Sequence, residues 1–176
     1  FRTLKFGKRL NNFGMASFEV PVTDDKATDL ISLRVYTVWI YRQENADSVL
    51  VWAGEQAMRD VELDDNGAGW VTIYCYTWFE QLKDRFTDAE EEYDGIDAGE
   101  IAWDLIDTTQ TPSNADFGIT EGTITATVNR DRTYYNQNIM EAIINLANVV
   151  SGFDFEITDE KVFNVYDVMG EDKTDD

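Results

Sequence analysis

Apolar and polar positions along this chain fall into two regimes. Up to about residue 86 the apolar residues come in short runs dominated by β-branched and aromatic side chains. Three runs stand out: Leu33-Arg-Val-Tyr-Thr-Val-Trp-Ile-Tyr41, Ser48-Val-Leu-Val-Trp-Ala-Gly54 and Trp70-Val-Thr-Ile-Tyr-Cys-Tyr76. Such side chains suit a pleated, packed surface, so each run predicts a strand, and residues 77–85 predict a helix after the third. In the third run Val71, Ile73 and Cys75 point one way, and Trp70, Tyr74 and Tyr76 the other. A half-wetted strand carries polar residues on one face, and this run has almost none. Both faces are therefore expected to be covered, one by the domain's own core and the other by another part of the chain or another subunit.

The remaining strands read in order. Residues 1–9 alternate weakly and form an entering strand, Asn11-Asn-Phe-Gly14 is a turn, and residues 15–20 make a short strand stopped by Pro21. Residues 24–30 form a polar connector with about one helical turn. Glu44-Asn-Ala-Asp47 is a hairpin loop. Gly54 marks a bulge or the close approach of another backbone. Residues 56–63 continue extended. Asn66-Gly67 is the strongest hairpin signal, pairing 61–63 with 70–73.

Three helix starts share one pattern. Thr77, Asp97 and Asn138 each stand three residues before a Glu (Glu80, Glu100 and Glu141), the spacing of a capping box. The second helix, over 98–107, is expected to bury Ile101, Ala102, Leu105 and Ile106 and to stop before Pro112. The third, over 139–150, is expected to bury Ile139, Ala142, Ile143, Leu146, Ala147 and Val150, with Gly152 in the left-handed position beyond its end. Residues 122–128 alternate Thr with Ile124, Ala126 and Val128 and read as a strand. Strands over 153–157 and 162–166 flank the turn at 158–161. The shift from mostly strand to mixed helix and strand, near 86–92, predicts an α+β chain with a β-rich domain over 1–88 and a smaller α/β segment over 89–176.

Composition narrows the function. The chain has 176 residues, 43% hydrophobic and 13% aromatic, enough for a substantial core. No run reaches the roughly 18 apolar residues of a membrane helix. The opening Phe1-Arg-Thr-Leu-Lys-Phe6 lacks the apolar middle of a signal peptide, and without an initial Met the chain reads as processed or as the ordered part of a longer protein. The tail over 171–176 is charged and expected to fray. A net charge of −21 disfavours free nucleic acid as a ligand. It fits solubility, a salt-adapted host, or a surface that repels DNA passing close by. The charge is uneven: Arg2, Lys5, Lys8 and Arg9 make the first nine residues basic, while residues 84–107 carry most of the acidic crowding.

Candidate chemistry is thin. There is no histidine, which removes the usual general base and most zinc sites. The lone Cys75 excludes an internal disulfide and reads as a small core side chain. Asp64-Asp-Asn-Gly67 lacks the alternating ligands and distal Glu of a calcium loop. Tyr93-Asp-Gly-Ile-Asp97 reads as a turn and helix cap rather than a pair of metal ligands. No acid pair singles itself out for glycoside hydrolysis. The expectation is therefore no catalytic residue, no metal and no cofactor. The tryptophans at 39, 52, 70, 78 and 103 could form a sugar platform, but their apolar neighbours favour core or subunit contact. Trp70, Tyr74, Tyr76, Trp39 and Trp52 are the candidate subunit-interface residues.

Several stretches resemble the baseplate-hub and tail-associated (minor tail) proteins of tailed bacteriophages. Met15-Ala-Ser-Phe-Glu-Val-Pro21 is similar to a strand near the front of that family. Residues 35–41 with Val49-Leu-Val-Trp-Ala-Gly54 resemble its strand pair, and residues 71–76 running into Leu82 and Arg85 its strand and helix. Tyr93-Asp-Gly-Ile-Asp-Ala-Gly-Glu-Ile-Ala102 with Leu105-Ile106, and residues 142–147 with Gly152-Phe-Asp-Phe-Glu-Ile157, resemble its later helices and closing strand. The likeness spans about 13–166. Thr77 departs from it, standing where the family often has Asp, and the acidity exceeds the family's habit. The resemblance implies a tail-tube-like barrel or sandwich followed by an α/β segment, and a homo-oligomer, a trimer, at the tail tip of the virion, made in the host cytoplasm. Its partners would be tube, distal tail, tape-measure and fibre proteins. It would adapt the tube to the tip complex and surround or close a channel that DNA crosses without being bound, with no membrane in the mature particle. The alternative is a glycan- or receptor-binding β-module of a phage or cell surface.

Overall fold

The computed structural model describes residues 1–31, 36–112, 115–125 and 127–169. The chain is α+β and forms two compact units. The first holds residues 1–9 and 13–78, and the second residues 10–12 and everything from Phe79 onward. The chain thus changes unit inside a 3-10 helix, Trp78–Asp84, earlier than the composition shift near 88.

The first unit is a five-stranded antiparallel sheet. Its strands are β1 (Arg2–Gly7), β2 (Met15–Pro21), β3 (Thr37–Glu44), β4 (Asp47–Leu63) and β5 (Gly69–Tyr76). Their order is β1-β2-β5-β4-β3, so β5 lies at the centre. A short helix, α1 (Ala27–Ile31), covers one face. Val71, Ile73 and Cys75 are fully buried there with Ala16, Val20, Ala27, Ile40 and Trp52. The opposite edges β1 and β3 both reach one apolar cavity of about 260 Å³, lined by Phe1, Leu4, Phe18 and Val38 to Tyr41. The sheet is therefore curled into a half-barrel that does not close on itself among the described residues.

Local chemistry explains the turns. Asn45 takes a left-handed φ of 54° in the β3–β4 hairpin, where Glu44 pairs with Asp47. Gly67 has φ 76° in the β4–β5 hairpin, and the Asp64 carboxylate there accepts from the N–H groups of Asn66 and Ala68 at 2.8 and 3.0 Å. That carboxylate organises a turn, as the sequence suggests. Gly54 is needed for close approach: a Cβ there would lie 2.1 Å from the Tyr76 carbonyl oxygen. Residues 33–35 of the expected strand lie outside the described residues, as do Ala126 of the expected 122–128 strand and the tail over 171–176.

The helix expected over 77–85 is a 3-10 helix, and its cap is absent. The Thr77 hydroxyl accepts instead from the Gly14 N–H at 2.8 Å, and the Thr77 N–H donates to the Gly14 carbonyl at 3.1 Å. The side chain that could have capped a helix ties the end of β5 to the start of β2.

The second unit contains β6 (Glu91–Asp97), α2 (Ala98–Gln110), β7 (Thr120–Ile124), β8 (Asn129–Tyr134), α3 (Ile139–Ala147), β9 (Asp154–Ile157) and β10 (Val162–Tyr166). β10 is central in a three-stranded sheet, parallel to β7 and antiparallel to β9. β6 and β8 form a separate ribbon. Both capping oxygens act here: Asp97 accepts from Gly99 and Glu100, and Asn138 from Glu141. Ile101, Ala102, Leu105 and Ile106 are all buried, as are Ile139, Ala142, Ile143, Leu146 and Ala147. The core is completed by Phe79, Phe155 and Phe163, with ring centroids 4.9 and 5.9 Å apart around Phe155.

Two details at the end of α3 correct the sequence reading. The helix stops at Ala147, and Val150 is 88% exposed rather than buried. The left-handed residue is Ser151, φ 55°, not Gly152. Gly152 is needed for space instead, since a Cβ there would lie 1.9 Å from the Ala147 carbonyl oxygen. A third difference is that residues 93–97 are strand rather than turn, pairing with a strand β8 that the sequence did not predict. Residues 10–12 are also more than a turn. Asn11, at φ 56°, exchanges main-chain and side-chain bonds with Phe155 and Asp154 of β9.

Candidate assembly surface

The five interface candidates separate by burial. Trp52 is 0% exposed in the first unit's own core and is not on a surface, so a neighbouring molecule cannot reach it. It pairs with Ile40 on the inward face of the sheet. Trp39, one residue earlier on β3, points outward and is 55% exposed, with Tyr41 exposed beside it. Trp70, Tyr74 and Tyr76 are half-buried on the outer face of β5.

That outer face is partly covered by the chain itself. The Arg2 guanidinium lies 3.6 Å from the centre of the Trp70 ring and also bonds Glu19 at 2.7 Å. Phe13 meets Tyr76 edge to face, with centroids 5.2 Å apart. Such cation–π and edge-to-face contacts hold aromatic rings upright on a sheet. Between them, Tyr74 faces carboxylates. Burial, followed by the charge and hydrogen bond of Asp60 and the charges of Glu62 and Glu19, raises its phenol above the usual range. Glu19 is lowered by hydrogen bonds from Thr3 and Arg2.

Register places these groups in rows. Glu62, Trp70 and Pro21 form one row, Asp60, Thr72, Glu19 and Arg2 the next, and Met58, Tyr74, Ser17 and Lys5 a third. The outer face therefore runs from acidic on β4 to basic on β1. Sequence alternation could not show this gradient, because it depends on which strands become neighbours.

β3 pairs only with residues 47–55 of β4. Beyond that, residues 57–63 bond to β5 on one side and to no other strand among the described residues. This free edge carries Met58, Val61 and Leu63, all exposed. β1, at the other side of the sheet, is exposed along its whole length.

The remaining chemistry is sparse. Among the described residues no group of three acids or cysteines is placed to hold a metal. Cys75 is buried, and burial pushes its thiol up to about 12, where it is not a nucleophile near neutral pH. A cavity of about 190 Å³ in the second unit is lined by Arg85, Phe86, Thr87, Asp88, Glu91 and neighbours, but Arg85 is occupied over the Phe117 ring at 4.7 Å. Among the described residues no helix is long and apolar enough to cross a membrane.

No protein-family model matches the chain, and no curated protein does. Among solved structures the fold is similar to that of the E. coli c3393 protein, with a TM-score of 0.59 and 12% identity. That protein is described as a component of the type VI secretion system with structural similarity to the T4 bacteriophage tail proteins gp27 and gp5. The match covers 96% of this chain and 50% of that one, so this chain spans about half its length.

Proposed function

We infer that this chain is a structural subunit of a phage tail tip or of a related tail-like secretion device. In this reading the first unit is a tail-tube-like β-domain and the second a hub segment. Three copies surround a channel, join the tube to the tip complex, and open for passing DNA without binding it. The neighbours are other tail proteins, and the place of action is the virion tail tip. The observation that carries the reading is fold likeness along nearly the whole chain to one tail-related protein. The acidic side of the outer face, with Asp60 and Glu62 on β4, supports it as a wall along which a polyanion slides without sticking. Turnover chemistry plays no part.

The test is to label the chain and image assembled particles. Label confined to the tip, with three copies per particle, is the expected result. Label along the tube, on the head, or absent from particles overturns it. The exposed pair Trp39 and Tyr41, beside the apolar cavity, favours a second reading as a glycan- or receptor-binding module. Glycan-array binding that is lost in Trp39→Ala would establish that alternative.

A further inference from the structure

We propose that Asn66, at the tip of the β4–β5 hairpin, is a self-modification site. Its side-chain amide is lost to attack by the Gly67 backbone nitrogen, and the Asp64 carboxylate holds the turn closed and so sets the pace. The inference goes beyond the tail reading and does not depend on it.

The sequence singles out this position. Asn66 is the only asparagine in the chain followed by glycine. Asparagine is a chemically labile side chain, and a following glycine has no Cβ to hinder its own nitrogen. The whole turn over 64–68 is exposed, so water and hydroxide reach it. Asn45, Asn136 and Asn148 are exposed as well, but Ala46, Gln137 and Val149 follow them and each carries a Cβ.

The reaction needs only solvent. Hydroxide takes the proton from the Gly67 nitrogen, which then bonds to Cγ of Asn66. The bond from Cγ to Nδ2 breaks, and that nitrogen leaves as ammonia, reprotonated by water. The product is a five-membered succinimide. Water adds to one of its two carbonyls and opens it. One opening gives aspartate, and the other gives isoaspartate, whose main chain runs through Cβ and is one atom longer. Both add a negative charge beside Asp64, Asp65 and Glu62. The longer backbone also spoils the closure of the hairpin, where the Asp64 N–H donates to the Ala68 carbonyl at 2.7 Å.

The folded turn opposes the first step. The Gly67 N–H, whose proton must leave, donates to the Asp64 carbonyl at 3.0 Å. One oxygen of the Asp64 carboxylate accepts from the N–H groups on either side of that nitrogen, Asn66 at 2.8 Å and Ala68 at 3.0 Å. Three bonds to one residue thus hold the nitrogen in place, and two of them belong to its side chain.

The test holds the full chain in mildly alkaline buffer and follows each asparagine by peptide mapping with isoaspartate detection. Ion exchange reads the added negative charge. Asn66 is expected to change first, and Asn66→Gln to remove that signal. Asp64→Ala is expected to speed the change at Asn66 by about fivefold, the loss of turn bonds of ordinary net strength. Asp64→Asn keeps an acceptor oxygen and is expected to stay within about twofold of the parent. Both variants remove the same charge, so the difference between them reports the bonds. Asn45 and Asn136 in the same samples serve as clocks for general unfolding and are expected to keep the parent's rate. A parent in which Asn45, Asn136 or Asn148 changes as fast as Asn66 overturns the proposal. So does an Asp64→Ala chain no faster than the parent, or one in which every asparagine speeds up alike.

Discussion

At the residue scale, Ser151 and Gly152 show how one position's need can be read onto its neighbour. A glycine a few residues after a helix usually signals a left-handed backbone. Here the positive φ belongs to Ser151, and Gly152 is required because the Ala147 carbonyl passes too close for any side chain. Ser151→Gly is therefore expected to stabilise the chain by about 1 kcal/mol by relieving the left-handed Cβ. Gly152→Ala is expected to cost about 2–3 kcal/mol through overpacking. Urea midpoints measure both. If Gly152 were the left-handed residue, the order of the two effects would differ, because Ser151→Gly would then bring no gain. Cys75 leads to a pH prediction. Burial raises its thiol from about 9 to about 12 in the folded chain. Stability from this group is thus fully present below pH 9 and lost as pH rises through 12. The half-buried phenols of Tyr93 and Tyr134, raised first by burial, act in the same direction. The urea midpoint is expected to fall on the alkaline side, and more shallowly in Cys75→Ala, whatever constant offset the lost sulfur brings.

At the element scale, the legible parts were those whose two signals agreed. α2 and α3 carry a capping oxygen and an apolar stripe at helical spacing, and both were placed correctly at their starts. The hairpins at 44–47, 64–68 and 158–161 carry turn residues between strand-like runs, and all three formed. The ribbon of β6 and β8 is not legible in the sequence, for a physical reason. On β8 the half-buried positions are Arg130, Arg132 and Tyr134, so the alternation is written in long side chains whose stems are covered and whose heads are polar. A hydrophobicity pattern does not register that. The Thr77 cap failed for a different reason: a longer-range partner, the Gly14 N–H, took the hydroxyl. Asp97 instead gained partners, accepting from Gly99, Glu100 and both the N–H and hydroxyl of Thr127. Asp97→Ala is expected to cost about 2–3 kcal/mol, the loss of a cap plus a stranded donor at Thr127. Asn138→Ala, which loses a cap and one exposed bond from the Asn138 amide to the Lys83 carbonyl, is expected to cost about 1 kcal/mol. Denaturant titration of the two variants side by side checks the difference.

At the scale of the whole molecule, charge and edges dominate. The excess of acids follows from composition, but its arrangement does not. Only the strand order reveals that Asp60 and Glu62 share a face with Arg2 and Lys5 at opposite sides of one sheet. The candidate aromatic set was legible as a class and not residue by residue, since Trp39 and Trp52 each follow a valine in an apolar run and have opposite fates in the fold. A net charge of −21 makes the folded chain repel itself. Raising salt from about 0.02 to about 0.5 M shortens the reach of that repulsion, and the melting temperature is expected to rise by about 3–6 °C. A fall of the melting temperature with salt would mean that intramolecular ion pairs such as Arg2–Glu19 outweigh the repulsion.

The 17 residues of β4 run the full height of the sheet, bonded to β5 and β3 by ladders lying across the strand. Tension applied along such a strand loads every rung together, whereas a sideways tug opens them one after another. This sheet thus resists load in one direction more than in the perpendicular one, and the geometry of anchoring decides which of the two a neighbour feels.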